Sequence, residues 1–428
     1  MPTSQGRIWP ELNLVPADNN VLRVLIMQDD GFDIFNFDNL LNVVGNYIED
    51  RHASSIRIEV LYQASDNVRK YEAALQLASI DIEDTSANGL SLLFKEKDID
   101  IIYSTDKQML LDLIKTYTPI SVAGKMDELK LEIESFLTGK NIAWSFDNPT
   151  WNNTWLAKYG MSDGLTKKYF DYLNKAQAEL EYTAQQVGYV RALVNKVGQV
   201  KYAQEQLLAL IHSKNKSERN MTIQDTWGYD CFYDYSFEIS FHLGNYYFLL
   251  SSCLDIVGRL YNDVYDLQLD WLQTNIENNA FRSAVKKKNL ALFEAVRQKE
   301  LSDWSRWLKA RRNHIAHAAA PSYSDVLMAK KNKLSDSELE DRVKQMPVIM
   351  RMLSSLPTSV GESVLNQAKF VVRLHEDNKV LTRDALQVAI FNHKTQEYDS
   401  ALFHPLVDIK LDYEKFFRLM SGICDAVT

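Results

Sequence analysis

Apolar positions along the 428 residues follow two rhythms, short runs in the first third and long helical stripes after it. Val21–Met27 (VLRVLIM) is apolar except at Arg23, the pattern of a strand buried on both faces. Ile56–Tyr62 (IRIEVLY), Ile99–Tyr103 and Ile120–Val122 repeat that pattern more briefly. Between them Phe37–Tyr47, Val68–Ala78, Lys107–Tyr117 and Met126–Leu137 space their apolar residues by threes and fours, which predicts helices. Ile142–Phe146 closes the series as a last expected strand. Strands alternating with helices predict a parallel sheet covered on both faces.

Residues 1–148 therefore read as a Rossmann-like α/β domain. Ligands of such sheets sit beyond the carboxyl ends of the strands, where this chain carries Gln28-Asp29-Asp30-Gly31 and Ser104-Thr105-Asp106. Neither GxGxxG nor GxxxxGK followed by Ser or Thr occurs, which disfavours a dinucleotide or P-loop nucleotide. The element order and the Asp29-Asp30 pair resemble a response-regulator receiver, without the later lysine and phosphoacceptor context. Solvated loop acids are the simpler reading. A nucleotide or a protein is the candidate regulator of this domain.

Residues 149–164 combine Pro149 with two Asn and two Gly, the composition of a linker. From residue 165 to 428 the expectation is an all-α domain. Tyr169, Leu173, Ala176, Leu180, Ala184, Val187, Val190, Val194 and Val197 form one stripe continuing to Ile211, with Gly188 and Gly198 as candidate breaks into a hairpin. Asp230–Tyr265 is apolar nearly all round, as a central helix would be. Leu290–Val296 and Trp304–Ala319 predict two more helices, the second stopped by Pro321. Lys330–Asp341 reads as an exposed charged stretch, 358–400 is ambiguous, and Tyr413–Cys424 predicts a closing amphipathic helix.

Charge changes this picture more than composition does. The whole chain carries −9, which alone argues against a general nucleic-acid coat protein. Yet Arg282–Lys333 holds 13 Lys/Arg against 4 Asp/Glu, a net +9, whereas residues 1–150 hold 13 basic and 24 acidic residues. A basic segment inside an acidic protein is a local footprint for a phosphate-bearing partner, although a solvated helix face gives the same pattern. Three scattered cysteines form no CxxC pair or disulfide framework, and Cys253 reads as a buried thiol. The N-terminus lacks the order of a secretory signal, and no apolar run has membrane-spanning length. A cytoplasmic protein without membrane contact is expected.

The chemistry is concentrated in Trp304–His317, which ends Arg312-Asn313-His314-Ile315-Ala316-His317. Arginine, a polar residue, three further residues and histidine, at the end of a basic helix that follows an apolar one, resemble the signature of the HEPN superfamily. These are helical domains, many of them metal-independent ribonucleases. The resemblance covers roughly residues 165–320 or beyond and leaves out the N-terminal domain. It implies an endoribonuclease with Arg312, Asn313 and His317 as catalytic residues, 2′,3′-cyclic phosphate products, and a homodimer in which two motifs meet in one cleft. A sensor domain joined to such a nuclease is similar in layout to bacterial defence and toxin effectors, including CRISPR-associated ones, that cleave RNA to halt growth.

The residue types suit that reaction. Attack of a ribose 2′-OH on the adjacent phosphate needs proton transfer and stabilisation of the non-bridging oxygens, and no metal. An imidazole titrates near neutrality, so His317 can exchange the proton. Arg312 offers a planar fork of donors to a phosphate gaining charge. Asn313 and His317 are i,i+4 neighbours, so the amide can orient the imidazole. On one helix Arg312 and His317 stand about 7.5 Å apart along the axis and roughly 140° around it, so one helix does not present both to one phosphate.

Lys286, Lys287, Lys288, Lys309, Arg311 and His314 are candidate RNA contacts, with a solvated surface as the plain alternative. Trp304 and Trp307 could stack on bases but more often such i,i+3 pairs form core. His242 reads as a core histidine. No cofactor is implied, and neither HExxH nor a Cys/His cluster of metal spacing is present. The competing readings are a non-catalytic HEPN subunit that binds RNA or protein, and a receiver-like signalling protein with a helical dimerisation half.

Overall fold

The structure is a computed structural model that describes residues 20–27, 32–52, 55–115, 120–147, 155, 158–159, 164–219, 231–317, 327–328, 382–383, 386–392, 397–403 and 405–428. Its N-terminal part is a five-stranded parallel sheet of β1 (Val21–Ile26), β2 (Arg57–Gln63), β3 (Ala78–Ile80), β4 (Ile101–Tyr103) and β5 (Ser121–Ala123), ordered β3-β2-β1-β4-β5. The crossovers carry α1 (Ile34–His52), α2 (Asp66–Leu75), α3 (Ala87–Lys97), α4 (Lys107–Lys115) and α5 (Met126–Gly139). Because strand side chains alternate, the apolar run in β1, interrupted only by Arg23, serves two cores. Leu22, Val24 and Ile26 join Phe37, Val44, Leu129, Ile133 and Trp144 on one face. Leu25 and the following Met27 join Leu90, Phe94, Ile102 and Leu113 on the other.

Two details differ from the sequence reading. Ile142–Phe146 is no strand: it is buried coil, with Ile142, Trp144 and Phe146 in the first core and the Phe146 N–H donating to Glu134 Oε1 at 2.7 Å. Its backbone is satisfied by a helix side chain instead of a sheet partner. Conversely, β3 and α3 were not expected, although Leu90, Leu93 and Phe94 recur at helical spacing and enter the second core. Ser86 fixes the start of α3 by accepting from Gly89 N at 3.2 Å, and Asp98 in the left-handed region ends it.

The C-terminal part is mostly helical. It contains α6 (Gly164–Ala178), α7 (Ala184–Arg219), α8 (Cys231–Val264), α9 (Asn279–Lys288), α10 (Leu290–Arg297), α11 (Lys299–His317) and α12 (Pro405–Val427). The long stripe breaks between Ala178 and Ala184, not at a glycine. Glu181 there has φ 52°, and Thr183 and Gln186 cap each other's backbone N–H groups. Gly198 has another use: a Cβ there would stand 2.5 Å from the Tyr159 carbonyl, so only glycine lets the 158–159 segment lie on α7. α7 and α8 form the centre of a core that buries Tyr169, Tyr172, Tyr246, Tyr247 and Tyr261. Each hydroxyl has a partner, such as Met420 O at 2.8 Å for Tyr169.

The expectation of an all-α region to residue 428 is corrected by an antiparallel hairpin, β8 (Leu386–Asn392) with β9 (Glu397–Phe403), and by a short pair, β6 (Leu327–Met328) with β7 (Thr382–Arg383). Leu386, Val388 and Ile390 alternate with Gln387 and Ala389, a period of two inside the stretch that had no clear helical period. Among the described residues no helix is long and apolar enough to cross a membrane. Gln28–Gly31, Pro321 and Lys330–Asp341 lie outside the described residues.

The two parts meet along α5 and α7, where Gly139 packs so tightly on Ala209 that an added Cβ would stand 2.7 Å from the alanine methyl. Around that contact the seam is ionic and buried. Glu205 Oε2 accepts from Lys158 Nζ, Thr138 Oγ1 and Tyr159 OH, each at 2.6 Å. Glu132 takes His212 Nε2 at 2.5 Å and the Lys410 ammonium, which also donates to the Val122 carbonyl at 3.1 Å. Lys216 joins Asp100 at 3.2 Å and the Val21 carbonyl at 2.7 Å. Burial pushes the Glu132 carboxyl up, but Lys410 and His212 pull it down to about 2. Two residues on, burial pushes Glu134 up to about 7 against the pull of Lys158 and Lys201.

Candidate active site

α11 is built on an i, i+3, i+4, i+7 stripe: Leu301, Trp304, Ser305 and Leu308 are buried. The next position on that stripe is Arg312, where the core gives way to solvent and the side chain is 35% exposed. The stripe therefore delivers Arg312 against α8, and its guanidinium lies 3.7 Å from Asp255 Oδ2. The other carboxylate oxygen accepts from Asn275 Nδ2 at 3.3 Å. Burial raises the Asp255 pKa, opposed by the charges of Arg312, Arg259 and Lys309. Three cations thus act on one half-exposed carboxylate, in contrast to the enclosed pairs of the seam.

The same helix is held from behind. Trp304 Nε1 donates to Asp412 Oδ1 at 2.9 Å, and the other oxygen of Asp412 accepts from Tyr247 OH at 3.3 Å. This makes Trp304 a core residue with its polar atom satisfied rather than a base-stacking surface. α12 thereby ties α11 to α8 through Asp412, while Lys410 two residues earlier reaches the N-terminal part.

Of the sequence-derived candidates, Arg312 stands against Asp255, whose carboxyl also feels the charge of Lys309. Asn313, His314 and His317 follow on α11, with His317 its last residue. The side chains of Arg311, Asn313, His314, His317 and Trp307 lie outside the described residues. Lys286, Lys287 and Lys288 form the exposed last turn of a different helix, α9, with Lys286 Nζ 5.4 Å over the Phe293 ring. His242 is half-buried beside Phe241, and burial lowers its pKa. Asp255, Arg259 and Asn275 were absent from the sequence reading. The available signal was the lone acid within Ser251–Val257, since a carboxylate inside an apolar helix needs a cation or a donor. Among the described residues no group of three His, Cys, Asp or Glu side chains could hold a metal.

Residues 189–360 match the family described as HEPN_Cthe2314-like HEPN. No curated protein and no solved structure matches the chain. The matched segment takes in most of α7, all of α8 to α11 and the Arg312–His317 motif. The helical C-terminal half of this chain carries a HEPN-superfamily domain.

Proposed function

We propose that this protein is a metal-independent endoribonuclease whose catalytic residues are Arg312, Asn313 and His317. The observation that carries the reading is the placement of Arg312 where the α11 stripe leaves the core, half-exposed, inside a segment that matches a HEPN family. In the reaction the 2′-oxygen of a ribose bonds to the adjacent phosphorus and loses its proton, while the 5′-oxygen of the next nucleotide leaves and gains one. Arg312 stabilises the non-bridging oxygens as they gain charge. His317 exchanges the proton, and its position at the carboxyl end of α11 favours the imidazolium by about 0.3–1 kcal/mol if exposed. Asn313 orients the imidazole or touches substrate. Because Arg312 and His317 diverge around the helix, a homodimer that faces two motifs across one cleft completes the site.

The N-terminal part acts in this reading as a Rossmann-like regulatory domain. Its strand order reverses between β1 and β4, the place where doubly wound sheets bind ligands. Asp106 at that edge caps α4, accepting from Gln108 N and Met109 N, so it serves the fold first. The physiological role that fits is a cytoplasmic defence or growth-arrest effector. The test is expression of wild type and His317→Ala side by side, scored for growth and for integrity of cellular RNA. Arrest with fragmented RNA in wild type alone supports the proposal, and equal behaviour of the two proteins contradicts it. A HEPN module that only binds RNA or protein is the reading left by that second result.

A further inference from the structure

Asp255, Gly258, Arg259 and Asn262 recur at i, i+3, i+4 and i+7 and so share one face of α8. The loop after α8 folds back along that face. Leu269 N donates to Asn262 Oδ1 at 3.1 Å, the Thr274 carbonyl packs so closely that a Cβ at Gly258 would lie 1.6 Å from it, and Asn275 Nδ2 reaches Asp255. Two turn bonds onto the Asp270 carbonyl and the Thr274 hydroxyl on the Trp271 carbonyl stiffen the crest. That crest consists of Trp271, 73% exposed, and Leu272, 66% exposed. The residues flanking it meet α8 at Asn262, Gly258 and Asp255, on the face that also carries the exposed Arg259.

A tryptophan is rarely left so open, because burying its rings is worth more than burying most other side chains. Here the rings are held out on a loop pinned at three points to the helix that carries the Arg312 partner. Arg259, Lys309 and Arg312 supply positive charge around Asp255, the residue to which Asn275 ties the end of the loop. Aromatic faces beside backbone-tracking cations are the means by which proteins hold single-stranded nucleic acid.

We propose that Trp271 is a base-stacking platform for single-stranded RNA, holding a nucleotide next to the scissile phosphate while Arg259 and Lys309 contact the flanking backbone. The proposal rests on the ribonuclease reading for its substrate. It adds that the substrate is unpaired where it meets the loop, because a base inside a duplex has no free face to offer. Glycine at 258 is part of the device, since any side chain there would lift the loop from α8.

The test is a fluorescence-anisotropy titration of a labelled single-stranded RNA oligonucleotide in EDTA. The His317→Ala protein is the reference, compared with the same protein carrying Trp271→Ala or Trp271→Phe. Trp271→Ala should weaken binding by about 5- to 150-fold, the worth of one stacked base, and Trp271→Phe should keep most of the affinity. One abasic nucleotide along the oligonucleotide should cost the reference protein affinity and cost Trp271→Ala nothing further. In the cleaving protein Trp271→Ala should raise KM while kcat is retained. Unchanged affinity on Trp271→Ala overturns the platform, as does an unchanged affinity accompanied by a shift from dimer to monomer, which would make the crest a protein contact. Trp271-dependent binding without any cleavage by the wild type would leave the platform standing and remove the nuclease. Cleavage with a KM indifferent to Trp271 would do the reverse.

Discussion

The seam between α5 and α7 and the Asp255–Arg312 pair on α8 and α11 use the same side-chain types in opposite settings. At the seam Glu132, Lys158, Glu205, His212 and Lys216 are each under 10% exposed, and the carboxylates are met by several donors. At the motif helix Asp255, 31% exposed, lies a loose 3.7 Å from Arg312 and also feels the charges of Arg259 and Lys309. Buried charge removed from water must be matched within the protein, so the seam is specific and intolerant. Partly solvated charge is screened by water and stays within reach of a phosphate. The difference separates a structural joint from a candidate ligand site without reference to motif.

Breaking the seam should show the largest effect. Glu132→Leu leaves His212 and Lys410 without their shared acceptor and should lower unfolding free energy by about 3–5 kcal/mol, read by urea titration. Glu134→Gln sharpens the point from the other side. Its folded-state carboxyl titrates near 7 against an ordinary 4.5, so the folded state binds the extra proton and loses stability as pH rises through that window. The amide keeps an acceptor for Phe146 N–H. Glu134→Gln should thus raise stability by about 1–3 kcal/mol at pH 8, with the gain vanishing below pH 4.5. A constant difference across pH would show that burial does not control this carboxyl.

Asp255→Asn should cost under about 1 kcal/mol of stability, because the pair with Arg312 is half-solvated. It should still lower cleavage about tenfold, because a guanidinium no longer held in place loses about 1.4 kcal/mol of transition-state stabilisation. Reversing Lys286, Lys287 and Lys288 to Glu should cost about 1–3 kcal/mol of stability, because it places three anions in the last turn of α9. RNA affinity should fall and its dependence on salt should flatten, with the cut position unchanged, since phosphate contacts position rather than specify.

The sheet was legible because a run such as Val21–Ile26 has few other uses, and the parallel pairing follows from helices between strands. The reading failed where backbone groups are satisfied locally. Ile142–Phe146 has strand composition but gives its N–H to Glu134, and the stripe from Tyr169 breaks at Glu181 and Thr183 through capping that periodicity does not register. The hairpin at residues 386–403 was hidden in a stretch without helical period. At the site, spacing along α11 identified Arg312 but not Asp255 or Asn275, which come from other elements 57 and 37 residues away in sequence. The lone acid in Ser251–Val257 signals that a partner is needed, but not which distant element supplies it.

The most direct measurement of the central claim is product analysis on a purified single-stranded RNA in EDTA. Wild-type protein should cut it and leave 2′,3′-cyclic phosphate ends, a 2′-deoxy substitution at the cut position should block cleavage there, and well-folded Arg312→Ala and His317→Ala proteins should leave the RNA intact. Cleavage of equal rate by folded His317→Ala, or strict dependence on an added divalent metal, would contradict the account.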